Sequence, residues 1–159
     1  MAKSILNISF ILFASLVLFS SCKPQETGSP LPVITFKSLV FAADTASLQL
    51  SFIDGDGDIG LTQNDTAGDF RYNCFVDLYK KTGSDWIKQE FILPYYYRIP
   101  VLNRGNKKIL EGDIRLTLYD FPPDLGTPGV DTLKASVYIK DKALNASNTV
   151  FSQEFYSKN

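Results

Sequence analysis

The chain has 159 residues, 45% hydrophobic and 13% aromatic, enough for one domain with a real core once any leader is set aside. Sixteen basic residues oppose seventeen acidic ones, for a formal charge of −1, so nothing steers the chain toward nucleic acid or anionic lipid. Histidine is absent, which removes the commonest general base, the usual catalytic triads and most transition-metal sites, and two cysteines, Cys22 and Cys74, are too few for a zinc cluster.

The chain opens "MAKSILNISFILFASLVLFSSCKPQ", with Lys3 as a short positive n-region and a mostly apolar stretch from Ile5 to Phe19. That stretch is shorter than the roughly twenty residues that span a bilayer, and suits a secretory leader. It ends in "LFSSC" and resembles a bacterial lipobox, with Phe19 where leucine is preferred. The resemblance implies cleavage before Cys22 and acylation there, palmitate included. An ordinary secretory leader with an incidental cysteine is the alternative. Several acyl chains on one N-terminus anchor firmly, whereas one binds only marginally. Residues 1–21 therefore read as a lipoprotein signal peptide, residues 22–32 as a Pro/Gly-rich tether, and residues 33–159 as the folded domain.

From Val33 onward the hydrophobic period is two. "SLQLSF" puts Leu48, Leu50 and Phe52 on one face. "RYNCFVDLYK" alternates Tyr72, Cys74, Val76 and Leu78 against Arg71, Asn73 and Asp77. "DIRLTLYD" turns Ile114, Leu116 and Leu118 inward, and "TLKASVYIKD" does so with Leu133, Ala135, Val137 and Ile139. Val33 to Val40, Trp86 to Leu93, Tyr97 to Val101 and Val150 to Phe155 are further strand candidates. Turn signals separate them: "KTGSD", "NRGNK" and "FPPDLGTPG". Roughly seven or eight short strands without a long amphipathic helix predict an all-β, antiparallel sandwich, with a closed barrel as the alternative. Cys74 falls on an inward position and reads as a buried free thiol.

"SVYIKDKALNASNTV", Ser136 to Val150, resembles the closing hairpin of bacterial immunoglobulin-like domains. Asp141, Ala143, Asn145 and Ser147 match its pattern. Leu144 stands where glycine is usual, which predicts a longer turn without a positive-φ residue. "LSFIDGDGDIGL" resembles a segment of small Bacteroidota lipoproteins of unassigned function that end in the same hairpin. The resemblance implies an immunoglobulin-like or fibronectin type III-like fold, an outer-membrane location in an undetermined leaflet, and no activity. An acidic run after the cysteine marks surface export in that group, and only Glu26 is acidic here.

Asp54, Asp56 and Asp58 alternate with glycines in "DGDGD". Glycines let a backbone wrap so that such carboxylates converge on calcium. The spacing fails the EF-hand pattern: Ile59 replaces the required glycine and Asp65 stands where a bidentate glutamate belongs. Because the loop after the second strand and the one before the last share an end of an immunoglobulin-like sandwich, Asp141 and Asn145 are expected to complete a calcium shell. The alternative is a solvated turn whose aspartates cap their own backbone. Tyr95, Tyr96 and Tyr97 in "LPYYYRIP" are a candidate carbohydrate platform, or alternate between core and edge. Asp44-Thr45-Ala46, Asp65-Thr66-Ala67 and Asp131-Thr132-Leu133 resemble the O-glycosylation motif of exported Bacteroidota proteins, making Thr45, Thr66 and Thr132 candidate acceptors, although Asp-Thr pairs also make good turns. No nucleophile motif such as G-x-S-x-G occurs, so no catalytic residue is assigned. The expected role is a lipid-anchored, non-enzymatic binding or structural module of the cell envelope whose partner is an envelope protein. The alternative is an accessory carbohydrate-binding lipoprotein of a glycan-uptake system.

Overall fold

The computed structural model describes residues 28–103, 105 and 108–158. The leader, Cys22 and the first part of the tether lie outside the described residues. Among the described residues nine strands form in chain order: β1 Val33–Ala42, β2 Thr45–Asp54, β3 Cys74–Thr82, β4 Asp85–Gln89, β5 Tyr95–Tyr97, β6 Leu110–Tyr119, β7 Thr132–Ile139, β8 Val150–Phe151 and β9 Phe155–Tyr156. Among the described residues there is one 3-10 turn, Gly68–Phe70, and no α-helix. No helix there is long and apolar enough to cross a membrane.

The strands build an antiparallel sandwich. One sheet has the order β1-β2-β6, and the other β4-β3-β7-β8, with β5 also on β3 and β9 on β7. The period-two pattern explains the packing. Ala46, Leu48, Leu50 and Phe52 of β2 and Ile114, Leu116 and Leu118 of β6 face Cys74, Val76 and Leu78 of β3 and Leu133, Ala135, Val137 and Ile139 of β7 in one buried cluster. Each large buried aliphatic chain contributes about 1.5–3 kcal/mol. The pairing gives two sheets rather than a closed barrel.

Three segments depart from simple alternation. Asn73, expected outward, is buried because its side chain grips Ile99: Oδ1 accepts the Ile99 N–H at 2.6 Å and Nδ2 donates to the Ile99 carbonyl at 3.3 Å. Tyr72 leaves the core face as a result and packs outside against Tyr96. The candidate strand Tyr97–Val101 is displaced, since β5 ends at Tyr97 and the following residues turn to meet the loop after β2. There Leu61 and Pro100 form a parallel bridge. Gly60 permits that approach with φ of +113°, and a Cβ on it would lie 2.5 Å from the Pro100 carbonyl oxygen.

The last strand is interrupted by a repeat of five residues. Ser147, Ser152 and Ser157 each donate a backbone N–H to β7 or the residue preceding it, to the carbonyls of Ile139, Ala135 and Asp131. Each serine hydroxyl in turn accepts the N–H of that same residue, at 3.0 Å in all three cases. Five residues of the closing segment therefore span four on its partner, the spacing of repeated bulges. The residue after each serine reaches the other sheet's edge: Asn148 to Ile34, Gln153 to Leu39 and Lys158 to Asp44. The seam thus covers the β1 edge of the smaller sheet and the β7 side of the larger one.

Candidate functional site

The acidic loop begins at the last residue of β2. Asp54 is 0% exposed, and its Oδ2 accepts the Ile59 N–H at 2.8 Å, which curls the loop back on itself. One carboxylate oxygen each from Asp54, Asp56 and Asp58 lie within 4.8 Å of one another. Asp54 Oδ1 and Asp58 Oδ1 are buried and receive no hydrogen bond. Burial, with the Asp56 and Asp58 charges beside it, pushes the Asp54 carboxyl up to about 6. Burial also raises Asp58, and the charges of Asp141 and Asp56 add to that. Gly55 fits because the tether backbone lies against it: a Cβ there would come within 2.2 Å of the Ser29 carbonyl oxygen.

The turn after β7 meets this loop. The Ala143 N–H donates to the Asp58 carboxylate. Asp141 is also 0% exposed, and its two oxygens accept the Asn145 N–H and Nδ2, each at 2.8 Å. Asp141 and Asn145 therefore lie beside the aspartate trio but close their own turn, and the trio's converging oxygens do not include Asp141. The turn keeps its positive-φ residue, contrary to the expectation from losing glycine: Leu144 itself sits at φ of 68°. Asp65 is occupied elsewhere, accepting the N–H and Oγ1 of Thr62 at 2.7 and 2.8 Å. Those bonds hold its carboxyl below the usual range.

The tyrosine run divides by face. Tyr95 and Tyr97 pack against the core, and their hydroxyls donate to the carbonyls of Asp120 and Thr117 at 3.0 and 3.2 Å. Tyr96 alone turns outward, opposite Phe75 in the ladder. It joins an aromatic cluster that the sequence reading missed. Phe75 stacks on Tyr138 with centroids 4.7 Å apart, Tyr96 meets Phe75 edge-on at 5.0 Å, and Tyr72 meets Tyr96 at 5.9 Å. The Arg71 guanidinium lies 5.3 Å from the Tyr72 ring and Lys140 Nζ 5.7 Å from Phe75. An open groove of about 410 Å³ runs over the Tyr72, Phe75 and Tyr96 rings, with Ile92, 100% exposed, and Leu93 on its rim. The outer face continues to Lys134, whose Nζ lies 4.2 Å from the Trp86 ring and 4.8 Å from that of Phe151. The available signal was the outward register of Phe75 and Tyr138, aromatic positions that the core does not need.

The candidate acceptors also separate. Thr66 is exposed, whereas Thr45 and Thr132 are half-buried strand starts and the Thr45 hydroxyl donates to the Ala42 carbonyl at 2.9 Å. Cys74 is fully buried, and burial pushes its thiol up to about 12, which leaves no thiolate for nucleophilic chemistry at neutral pH. No family model, curated protein or solved structure matches the chain.

Proposed function

We propose that this chain is a lipid-anchored, non-enzymatic binding module of the cell envelope. In this reading it is an immunoglobulin-like sandwich held at the outer membrane through acylated Cys22. The leader ending in "LFSSC" supports the anchor. The strand order supports the fold: β1-β2-β6 facing β4-β3-β7-β8 corresponds to strands A, B and E against C′, C, F and G.

The observation that carries the binding role is the outer aromatic cluster of Tyr72, Phe75, Tyr96 and Tyr138. Rigid rings offer large contact area at low entropic cost, and interfaces are enriched in them. An envelope protein is the partner in this reading. Asp69, Arg71 and Lys140 around the same groove favour the second reading, a glycan, because flat rings fringed by charged hydrogen-bonding groups suit a sugar's mixed surface. Co-purification of cross-linked envelope protein that is lost in Tyr96→Ala supports the first reading. A glycan-array signal lost in the same variant supports the second. Partner capture or glycan binding unchanged in both Tyr96→Ala and Tyr72→Ala would contradict the assignment of this face.

A further inference from the structure

We infer that Asp54, Asp56 and Asp58 form a calcium site that fastens the loop after β2 at the end of the sandwich where the turn after β7 docks. This inference is independent of what the aromatic face binds.

The geometry fits one ion. Oxygens sharing a calcium at about 2.3–2.6 Å are separated by at most roughly 5 Å. The trio's oxygens lie within 4.8 Å of one another. The donors are all hard carboxylate oxygens, without nitrogen or sulfur, which suits calcium and not a softer metal. Clustered carboxylates on a surface prove little alone, but these are not merely on a surface. Asp54 is 0% exposed, and its Oδ1, like Asp58 Oδ1, is buried without a donor. Buried acceptors left without a donor are rare and call for a cause. The Ile59 N–H serves Asp54 Oδ2 and the Ala143 N–H serves Asp58, yet both Oδ1 atoms remain without a donor. A cation at the trio's centre would serve the orphaned oxygens together.

The surroundings agree. Asp56 is exposed, so water can fill the remaining coordination positions on that side. Asp141 adds a fourth negative charge near Asp58 while its oxygens remain engaged with Asn145. It acts as a neighbouring charge and as the brace of the docked turn. The ion would thus offset repulsion where the Ala143 N–H of the turn meets Asp58 of the loop.

The test uses the full chain in detergent, with calcium chloride as the probe, magnesium chloride as the comparison and a chelated sample as the baseline. Saturating calcium is expected to raise the melting midpoint by several degrees through linkage, with magnesium giving a clearly smaller rise. Asp56→Asn, at the exposed position, is expected to weaken calcium binding in calorimetry by at least about tenfold. Its midpoint in chelator should be no lower than that of the wild type, because a like charge has gone. Asp58→Asn gives a second variant should one misfold. No heat of binding and no midpoint shift at millimolar calcium would overturn the assignment. An equal rise with magnesium would overturn calcium as the ion, and an undiminished response in both variants would overturn these residues as its ligands.

Discussion

Asn148 pairs with both backbone groups of Ile34: its Oδ1 accepts the Ile34 N–H and its Nδ2 donates to the Ile34 carbonyl, each at 2.9 Å. One side chain thus imitates a neighbouring strand and joins the edge of the smaller sheet to the closing segment of the larger. Asn148→Ala leaves both groups of Ile34 without that partner, and the expected loss of stability is about 1–3 kcal/mol. Asn148→Asp keeps the acceptor but sets a carboxylate oxygen against the Ile34 carbonyl, so its melting midpoint should also fall below that of the wild type. Equal midpoints for all three would show that the seam contributes nothing.

Leu144 holds a left-handed conformation, φ 68°, in the turn braced by Asp141 and Asn145. Such a conformation costs a non-glycine residue about 1–2 kcal/mol. Leu144→Gly relieves that strain and forfeits part of the gain through the freer unfolded chain, for a net increase of roughly 0.5–1 kcal/mol. Leu144→Val, with a branched Cβ, should lower stability. Denaturant midpoints of the two variants moving in the same direction would contradict the turn geometry.

Cys74 gives a pH-dependent readout. Its thiol is pushed to about 12 by burial, above the roughly 8.5 of a free cysteine. A raised folded value means that the contribution of the neutral buried thiol is complete below about pH 8.5 and fades as pH climbs toward about 12. At pH 9 the native chain should carry roughly a thousandfold less Cys74 thiolate than the fully ionised limit, so alkylation should be slow when folded and fast in denaturant. Native alkylation as fast as that of the denatured chain would place Cys74 outside the core.

Cys22 lies outside the described residues, and its role rests on "LFSSC". Cys22→Ser is expected to abolish incorporation of labelled palmitate and to leave the precursor uncleaved. Palmitate incorporation persisting in that variant would move the anchor elsewhere.

The larger elements were legible because period-two alternation survives wherever one sheet face is buried. Leu48, Leu50 and Phe52, or Leu133 to Ile139, announce their strands unaided. The sequence also suggested that the DGDGD loop meets the turn holding Asp141, and Asp58 does receive the Ala143 N–H there. What escaped was set by side chains that replace backbone bonds. Asn73 breaks the alternation because its amide serves Ile99, so the phase of Tyr72 reversed. The serine repeat at Ser147, Ser152 and Ser157 was hidden because five-residue spacing matches neither strand nor helix. Asp141 and Asn145 looked like ligands by residue type, yet their geometry engages them with each other. The aromatic face was missed because Phe75 and Tyr138 come from strands far apart in sequence, and only the β3–β7 register sets them side by side.

The binding role is tested most directly by photo-cross-linking in intact cells, with a photoreactive phenylalanine analogue replacing Tyr96 and, as control, Arg115 on the outer face of the smaller sheet. The expected result is a discrete adduct from position 96, of protein or of glycan, and none from position 115. Equal adducts from both positions, or none from position 96 in correctly anchored protein, would contradict the account.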